Sequence, residues 1–138
     1  MAQLFRRDLL DLALRWNTDA RTLLAASRYD GAYHLAGIAL ECMLKARIAG
    51  FTKAEEFPDP DQVKRAWIHD PNRLLKEAGL EQALDHAPPD VQVNWAIVKD
   101  WTIDTRYSTA ADPRLVKGFL DALDDPTHGV LAWLRSRC

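Results

Sequence analysis

The hydrophobic pattern of the first fifty residues predicts two long helices. In residues 3–28, apolar side chains recur at the three- and four-residue spacing of one helical face, at Leu9, Leu12, Ala13, Trp16, Ala20, Leu23 and Leu24. Residues 31–49 are apolar around most of the helical circumference, and Asp30 and Gly50 are the predicted N-cap and C-terminal stop. We expect the two helices to form an antiparallel hairpin, with the second at the centre of the fold.

One polar line interrupts the apolar surface of the second helix. At about 100° per residue, His34, Glu41 and Lys45 fall within roughly 40° of one another. A helix surrounded by other helices has no solvent face for charged groups, because burying an unpaired charge is costly. The line therefore lies along a cleft, meets an internal partner, or sits at a subunit interface, and the pattern leaves these three alternatives open.

Proline residues mark predicted helix starts in the rest of the chain. Asp-Pro occurs at 59–60, 70–71, 112–113 and 125–126, and each pair places an acceptor at a plausible N-cap and proline at the first helical position. His69 is interpreted as part of the cap that precedes Pro71. The remaining pattern predicts short helices at 61–68 and 71–78, a turn at 80–86, and helices at 90–105, 113–124 and 127–136. The predicted fold is all-α, an up-and-down helical bundle of four to five main helices with short extra helices, in one domain over 1–138.

Composition limits the classes of function. The chain has 18 Lys and Arg against 20 Asp and Glu, so its net charge of −2 gives no global sign of nucleic-acid binding, although a local basic patch is compatible with it. The two cysteines, Cys42 and Cys138, fit a reducing compartment, and no apolar run reaches membrane-spanning length. We therefore predict a cytoplasmic protein without a membrane segment. The histidines lack metal-ligand spacing and no glycine-rich phosphate loop is present, so no metal or cofactor is predicted.

Several short patterns occur in an order typical of one known family. They are Ala20-x-x-Leu-Leu24, Tyr29-Asp-x-Ala-Tyr-His-Leu-Ala-Gly-Ile-Ala-Leu-Glu-x-x-Leu-Lys-Ala46, His69-Asp-x-x-x-Leu-Leu75 with Ala78-Gly-Leu80, and Trp101 ahead of Arg106-Tyr107. Over about residues 5–135 the chain resembles a HEPN domain. The resemblance implies a helical bundle, usually a homodimer, that binds nucleotides or RNA. Such domains often work beside a small nucleotidyltransferase in prokaryotic stress or defence systems, including toxin–antitoxin pairs.

The ribonuclease motif of many HEPN proteins is missing. That motif is Arg-x4–6-His on a late helix, where arginine stabilises the charged phosphate and histidine transfers protons without a metal. No histidine follows Arg106 before His128. The segment from Arg28 to His34 has the right spacing, but it straddles a helix start, and about one such match is expected by chance in this composition. We therefore favour a protein that is not an enzyme and assign no catalytic residue.

The favoured hypothesis is a noncatalytic binding module. In it, Lys45 and Arg106 supply positive charge for phosphate, and Glu41 orients one of these two cations. Tyr107 or Tyr29 contacts a base. We expect Lys45 and Arg106 to lie near one cleft.

Two alternatives remain open. One is a metal-independent ribonuclease toxin with an atypical site, in which His34 is the base and Arg28 or Arg106 holds the phosphate. The other is a purely structural module for dimerisation or recruitment. A hydrophobic content of 48%, with five tryptophans, agrees with a homodimer because a small bundle cannot readily bury that much apolar surface.

Overall fold

The computed structural model describes residues 4–51, 64 and 67–138, and its regular elements are all helical. The helices are α1 (Arg6–Ala25), α2 (Tyr29–Ala49), α3 (Pro71–Glu77), α4 (Glu81–Asp85), α5 (Pro89–Val98), α6 (Pro113–Asp124) and α7 (Val130–Arg135), with a 3₁₀ helix (Ile103–Tyr107) between α5 and α6. No strand occurs in these residues, so the all-α prediction is confirmed. The predicted helix at 61–68 and the Asp-Pro pair at 59–60 lie largely outside the described residues.

The first two helices form the predicted hairpin. α1 and α2 pack against each other extensively, and only three residues connect them. Within this connection Ser27 adopts a left-handed conformation with a φ of 60°, and the amide of Arg28 donates to the carbonyl of Leu23 at 2.8 Å. The chain therefore reverses direction in a tight, internally hydrogen-bonded turn.

α2 is the central helix of the bundle, as its apolar sequence predicts. It contacts α1, α3, α6, α7 and the 3₁₀ helix. Its buried residues are mostly small or aliphatic: Ala32, Ala36, Gly37, Ala39, Leu40, Met43, Leu44, Ala46 and Ile48. Glu41 lies among them and is the one charged residue of the described chain that is buried. α2 thus combines close helix packing with a buried carboxylate.

The predicted helix at 90–105 is wrong in its second half. α5 ends at Val98, and a non-helical stretch separates it from the 3₁₀ helix. Two contacts explain the break. The side chain of Asn72 donates to the carbonyl of Lys99 at 3.1 Å, and the indole of Trp101 is buried in the core instead of continuing the helix. A longer helix would give up both contacts.

The Asp-Pro pairs cap two of the described helices. Asp70 accepts a hydrogen bond from the amide of Asn72 at the start of α3, and Asp112 accepts one from the amide of Arg114 at the start of α6. The prediction for Asp125 is wrong, because its side chain accepts from two amides of the turn at 127–128 and α7 begins only at Val130. None of the described helices combines the length and the apolar character needed to cross a membrane.

Candidate functional site

The first half of α2, which includes His34 of the polar line, is covered by residues 101–111, which we call the covering segment. The indole of Trp101 lies so close to Gly37 that a methyl group at residue 37 would overlap it. One turn earlier on α2, Nδ1 of His34 is 3.0 Å from the hydroxyl oxygen of Thr105. The covering segment therefore runs antiparallel to the first half of α2 and rests on its polar face.

The side chain of Asp30 is hydrogen-bonded to the end of the covering segment. Its Oδ1 accepts hydrogen bonds from the hydroxyl of Ser108 at 2.8 Å and from the amide of Ala111 at 2.9 Å. The prediction that Asp30 is the N-cap of α2 is wrong, because the helix begins at Tyr29. The carboxylate is instead used in a contact between distant parts of the chain, which no local sequence signal distinguishes from a cap.

Glu41 is the centre of a second group of polar contacts. Its Oε1 accepts from Nζ of Lys45 at 2.7 Å and from Nδ1 of His69 at 2.6 Å. Its Oε2 is also buried and finds no hydrogen-bond partner within the described residues. A carboxylate oxygen can only accept, so Nδ1 of His69 carries the proton in this contact. In a neutral imidazole, Nε2 of His69 is then left with its lone pair.

His69 is the polar residue that the sequence interpretation misplaced. The cap of α3 is formed by Asp70 alone, and the imidazole of His69 turns to Glu41 instead. The two residues are 28 positions apart, so helical spacing could not connect them. The available signal was the His-Asp pattern that contributes to the HEPN resemblance.

The imidazole of His34 has an altered protonation equilibrium. Burial lowers the pKa of His34, the guanidinium of Arg106 lowers it further, and the carboxylate of Glu41 acts in the opposite direction. The same ring lies 6.3 Å from that of Trp101, measured between ring centroids. His34 is therefore held mainly neutral near neutral pH and faces a nearby cation.

Arg106 and Tyr107 form an exposed pair on the 3₁₀ helix. The guanidinium carbon of Arg106 is 4.9 Å from the centroid of the Tyr107 ring, which is within the range of a cation–π contact. Tyr107 is 74% exposed, and Arg106 forms no ion pair with any residue in the described ranges. A planar cation and an aromatic face are thus both available to a ligand.

The predicted site residues fall in three neighbouring places. Glu41 and Lys45 lie at His69, whereas His34 contacts Thr105, which precedes Arg106 in the chain. At a rise of about 1.5 Å per residue, Lys45 is roughly 16 Å along the axis of α2 from His34. The third place is a cleft of about 430 Å³ at the start of α2, lined by Ser27, Arg28, Tyr29, Asp30, Gly31, Thr109, Ala110 and Ala111. A ligand that touches all three places must extend along α2.

Another cleft opens beside His69. Its volume is about 340 Å³, and it is lined by His69, Asp70, Asn72, Lys99, Asp100, Trp101, Thr102 and Ile103. We call it the His69 cleft. It lies at the other end of the covering segment from the cleft that contains Tyr29, so Arg106 and Tyr107 come between the two in the chain. The covering segment therefore has a cleft at each end and an exposed cation–π pair between them.

Comparison with protein-family models, curated proteins and solved structures finds no match for this chain. Membership of the HEPN family therefore stays a prediction that rests on the sequence patterns. Nowhere in the described chain do three or more His, Cys, Asp or Glu side chains form a group that could hold a metal ion.

Proposed function

We propose that this chain is a HEPN-like module that binds nucleotide or RNA without cleaving it, and that it works with a nucleotidyltransferase partner in a prokaryotic stress or defence system. The observation that carries the binding proposal is the exposed Arg106–Tyr107 pair on the covering segment. Arginine binds phosphate through a planar fork of donors, and an aromatic ring stacks on an unpaired base. The partner and the cellular system come from the HEPN resemblance.

Lys45 extends this surface along α2. Its ammonium group has three donors, and the ion pair with Glu41 uses one of them. Because Lys45 and Arg106 are separated along the helix, a ligand that contacts both is extended. This geometry favours a short RNA over a mononucleotide. Glu41 keeps Lys45 in place when no ligand is bound, because the two side chains are 2.7 Å apart.

The ribonuclease alternative keeps one specific observation in its favour. His34 is held mainly neutral and contacts Thr105, which precedes Arg106 in the chain, so a general base and a phosphate-binding cation belong to the same part of the surface. Arg28 does not share this position, because it precedes α2 and lines the cleft that contains Tyr29. In this alternative the arginine is therefore Arg106. We favour the noncatalytic function because the late-helix histidine is missing.

Binding is tested with a short single-stranded RNA in titration calorimetry at two salt concentrations. We expect Lys45→Ala and Arg106→Ala each to weaken binding. Each should also reduce the slope of the logarithm of the binding constant against the logarithm of the salt concentration by about 1. Lys117→Ala is the matched control, since it removes an exposed lysine that pairs with Asp121 on α6. Unchanged affinity in both site variants would eliminate the proposed surface.

Cleavage is tested with the same RNA. The purified protein should leave it intact, with or without a divalent metal, because a general acid–base group contributes about 10²–10⁴-fold to such reactions and the expected one is absent. Cleavage that His34→Ala abolishes would establish the ribonuclease alternative instead.

A homodimer is also part of the proposal. Val93 and Ile97 lie one turn apart on α5 with exposed side chains, and Leu115 is exposed on α6. Exposed apolar side chains that form one contiguous patch are typical of a surface that binds a partner. Light scattering should give the mass of two chains, and a mass of one chain at all concentrations would remove the dimer. A dimer that binds no RNA would support the purely structural alternative.

A further inference from the structure

The His69 cleft has an unusual balance of hydrogen-bonding groups. Two carboxylates, Asp70 and Asp100, line it together with one cation, Lys99. Asp100 is largely exposed, and its Oδ1 is 3.6 Å from Nζ of Lys99, beyond hydrogen-bonding distance. The charged side chains of the lining other than His69 therefore carry a net charge of −1.

His69 is oriented in the cleft by Glu41. Because Nδ1 of the ring donates to Glu41, Nε2 is the ring nitrogen left for a ligand. The side chain of His69 is about half exposed and lines the cleft, so a ligand can reach it.

The two walls of the cleft are joined before any ligand binds. The side-chain amide of Asn72, on α3, donates to the carbonyl of Lys99, just after α5. On the second wall, Trp101 is buried and packs on Gly37 of α2. A preformed cleft loses little conformational freedom on binding, which favours affinity.

We propose that the His69 cleft is a subsite for a nucleobase that carries an exocyclic amino group. The inference rests on the proposed function, whose phosphate-binding surface it extends. An anion is disfavoured by Asp70 and Asp100, whereas carboxylates accept hydrogen bonds from the amino group of a base such as cytosine. The volume of about 340 Å³ is at the lower end for small-molecule sites and is large enough for a base.

The position of Arg106 matches a phosphate attached to such a base. Thr102 lines the cleft, and Arg106 follows four residues later, on the 3₁₀ helix. At about 2.0 Å per residue, the two are roughly 8 Å apart along the chain. Arg106 therefore belongs to the same segment that forms one wall of the cleft, a little more than one turn beyond Thr102.

The test compares hexacytidylate with hexauridylate in titration calorimetry. The two RNAs have the same phosphate charge and similar stacking. Their bases differ at the Watson–Crick edge, where cytosine has an amino donor at C4 and an acceptor at N3, and uracil has an oxygen acceptor at C4 and a donor at N3. We expect hexacytidylate to bind about tenfold more tightly, within the range for a lost base-specific hydrogen bond. His69→Asn keeps a donor for Glu41 but has no ring nitrogen at the position of Nε2, and Asp100→Asn neutralises the exposed carboxylate. Both variants should reduce the affinity for hexacytidylate to that for hexauridylate.

The control variant is Asp104→Asn, which makes the same charge change at an exposed residue that does not line the cleft. It should keep the preference for cytosine. Equal affinity of the parent for the two RNAs, or a preference that survives both His69→Asn and Asp100→Asn, would overturn the base subsite and leave the proposed function standing. If neither RNA binds the parent, both the subsite and the proposed function fail.

Discussion

Lys45 and Lys117 form ion pairs of the same spacing and length in different surroundings. Each lysine pairs with a carboxylate four residues away on its helix, and each Nζ is 2.7 Å from the nearest carboxylate oxygen. The side chain of Glu41 is 7% exposed and that of Asp121 is 47% exposed, while the lysines are 21% and 67% exposed. Replacing each lysine by methionine keeps the apolar stem and removes the charge.

Burial decides how much each replacement costs. Lys45→Met leaves the carboxylate of Glu41 in the core with His69 as its remaining donor, and breaking a buried pair costs about 3–5 kcal/mol. We expect the low end, about 3 kcal/mol, because His69 still donates to the same oxygen. Lys117→Met should cost less than about 0.5 kcal/mol, as exposed pairs do.

These free energies correspond to different melting temperatures. An unfolding entropy of about 2.1 cal/mol/K per residue over 138 residues gives about 0.29 kcal/mol/K. Lys45→Met should therefore lower Tm by about 10 °C and Lys117→Met by less than about 2 °C. Circular dichroism during thermal and urea unfolding measures both quantities. Equal, small losses for the two variants would refute the claim that Glu41 needs Lys45 as a buried partner.

Two further predictions concern α2 and α6. Gly37→Ala should lower the free energy of unfolding by about 1–3 kcal/mol, because the added methyl group overlaps the indole of Trp101. Gly118→Ala should raise it by about 0.5–1 kcal/mol, since a methyl group there meets no atom within 4 Å. Equal effects of the two variants in urea unfolding would contradict the close packing of Trp101 on Gly37. The pKa of His34 is lowered from its ordinary value of 6.5, so the unfolded chain takes up the proton first as the pH falls, and stability is lost on acidification. His34→Gln should therefore lose less stability than the parent between about pH 7 and about pH 5, and parallel curves would contradict this assignment.

The parts of the fold that depend on local signals are predictable from sequence. The apolar circumference of α2 identifies the central helix, and Asp70 and Asp112 mark helix starts because capping involves residues that are adjacent in the chain. The end of α5 was not predictable. It depends on the side chain of Asn72 reaching the carbonyl of Lys99, a contact between residues 27 positions apart.

The contacts of the candidate site also include some that the sequence predicts and some that it does not. The contact between Glu41 and Lys45 follows from helical spacing, and Arg106 was singled out through the HEPN resemblance. The roles of His69 and Asp30 were not accessible, because each side chain forms its main contacts with residues far away in sequence. Polar side chains in such contacts have no periodic pattern, so only the folded structure reveals their partners.

The central claim is that the covering segment and the polar line of α2 form the RNA-binding surface. Heteronuclear NMR during titration with a short single-stranded RNA tests it most directly, since the indole N–H of Trp101 belongs to that segment and the imidazole of His34 contacts it through Thr105. The indole N–H of Trp133, on α7, is the internal reference. We predict that RNA shifts the resonances of Trp101 and His34 and leaves that of Trp133 unchanged. Unchanged resonances of Trp101 and His34 at saturating RNA, or shifts confined to Trp133, would contradict the account.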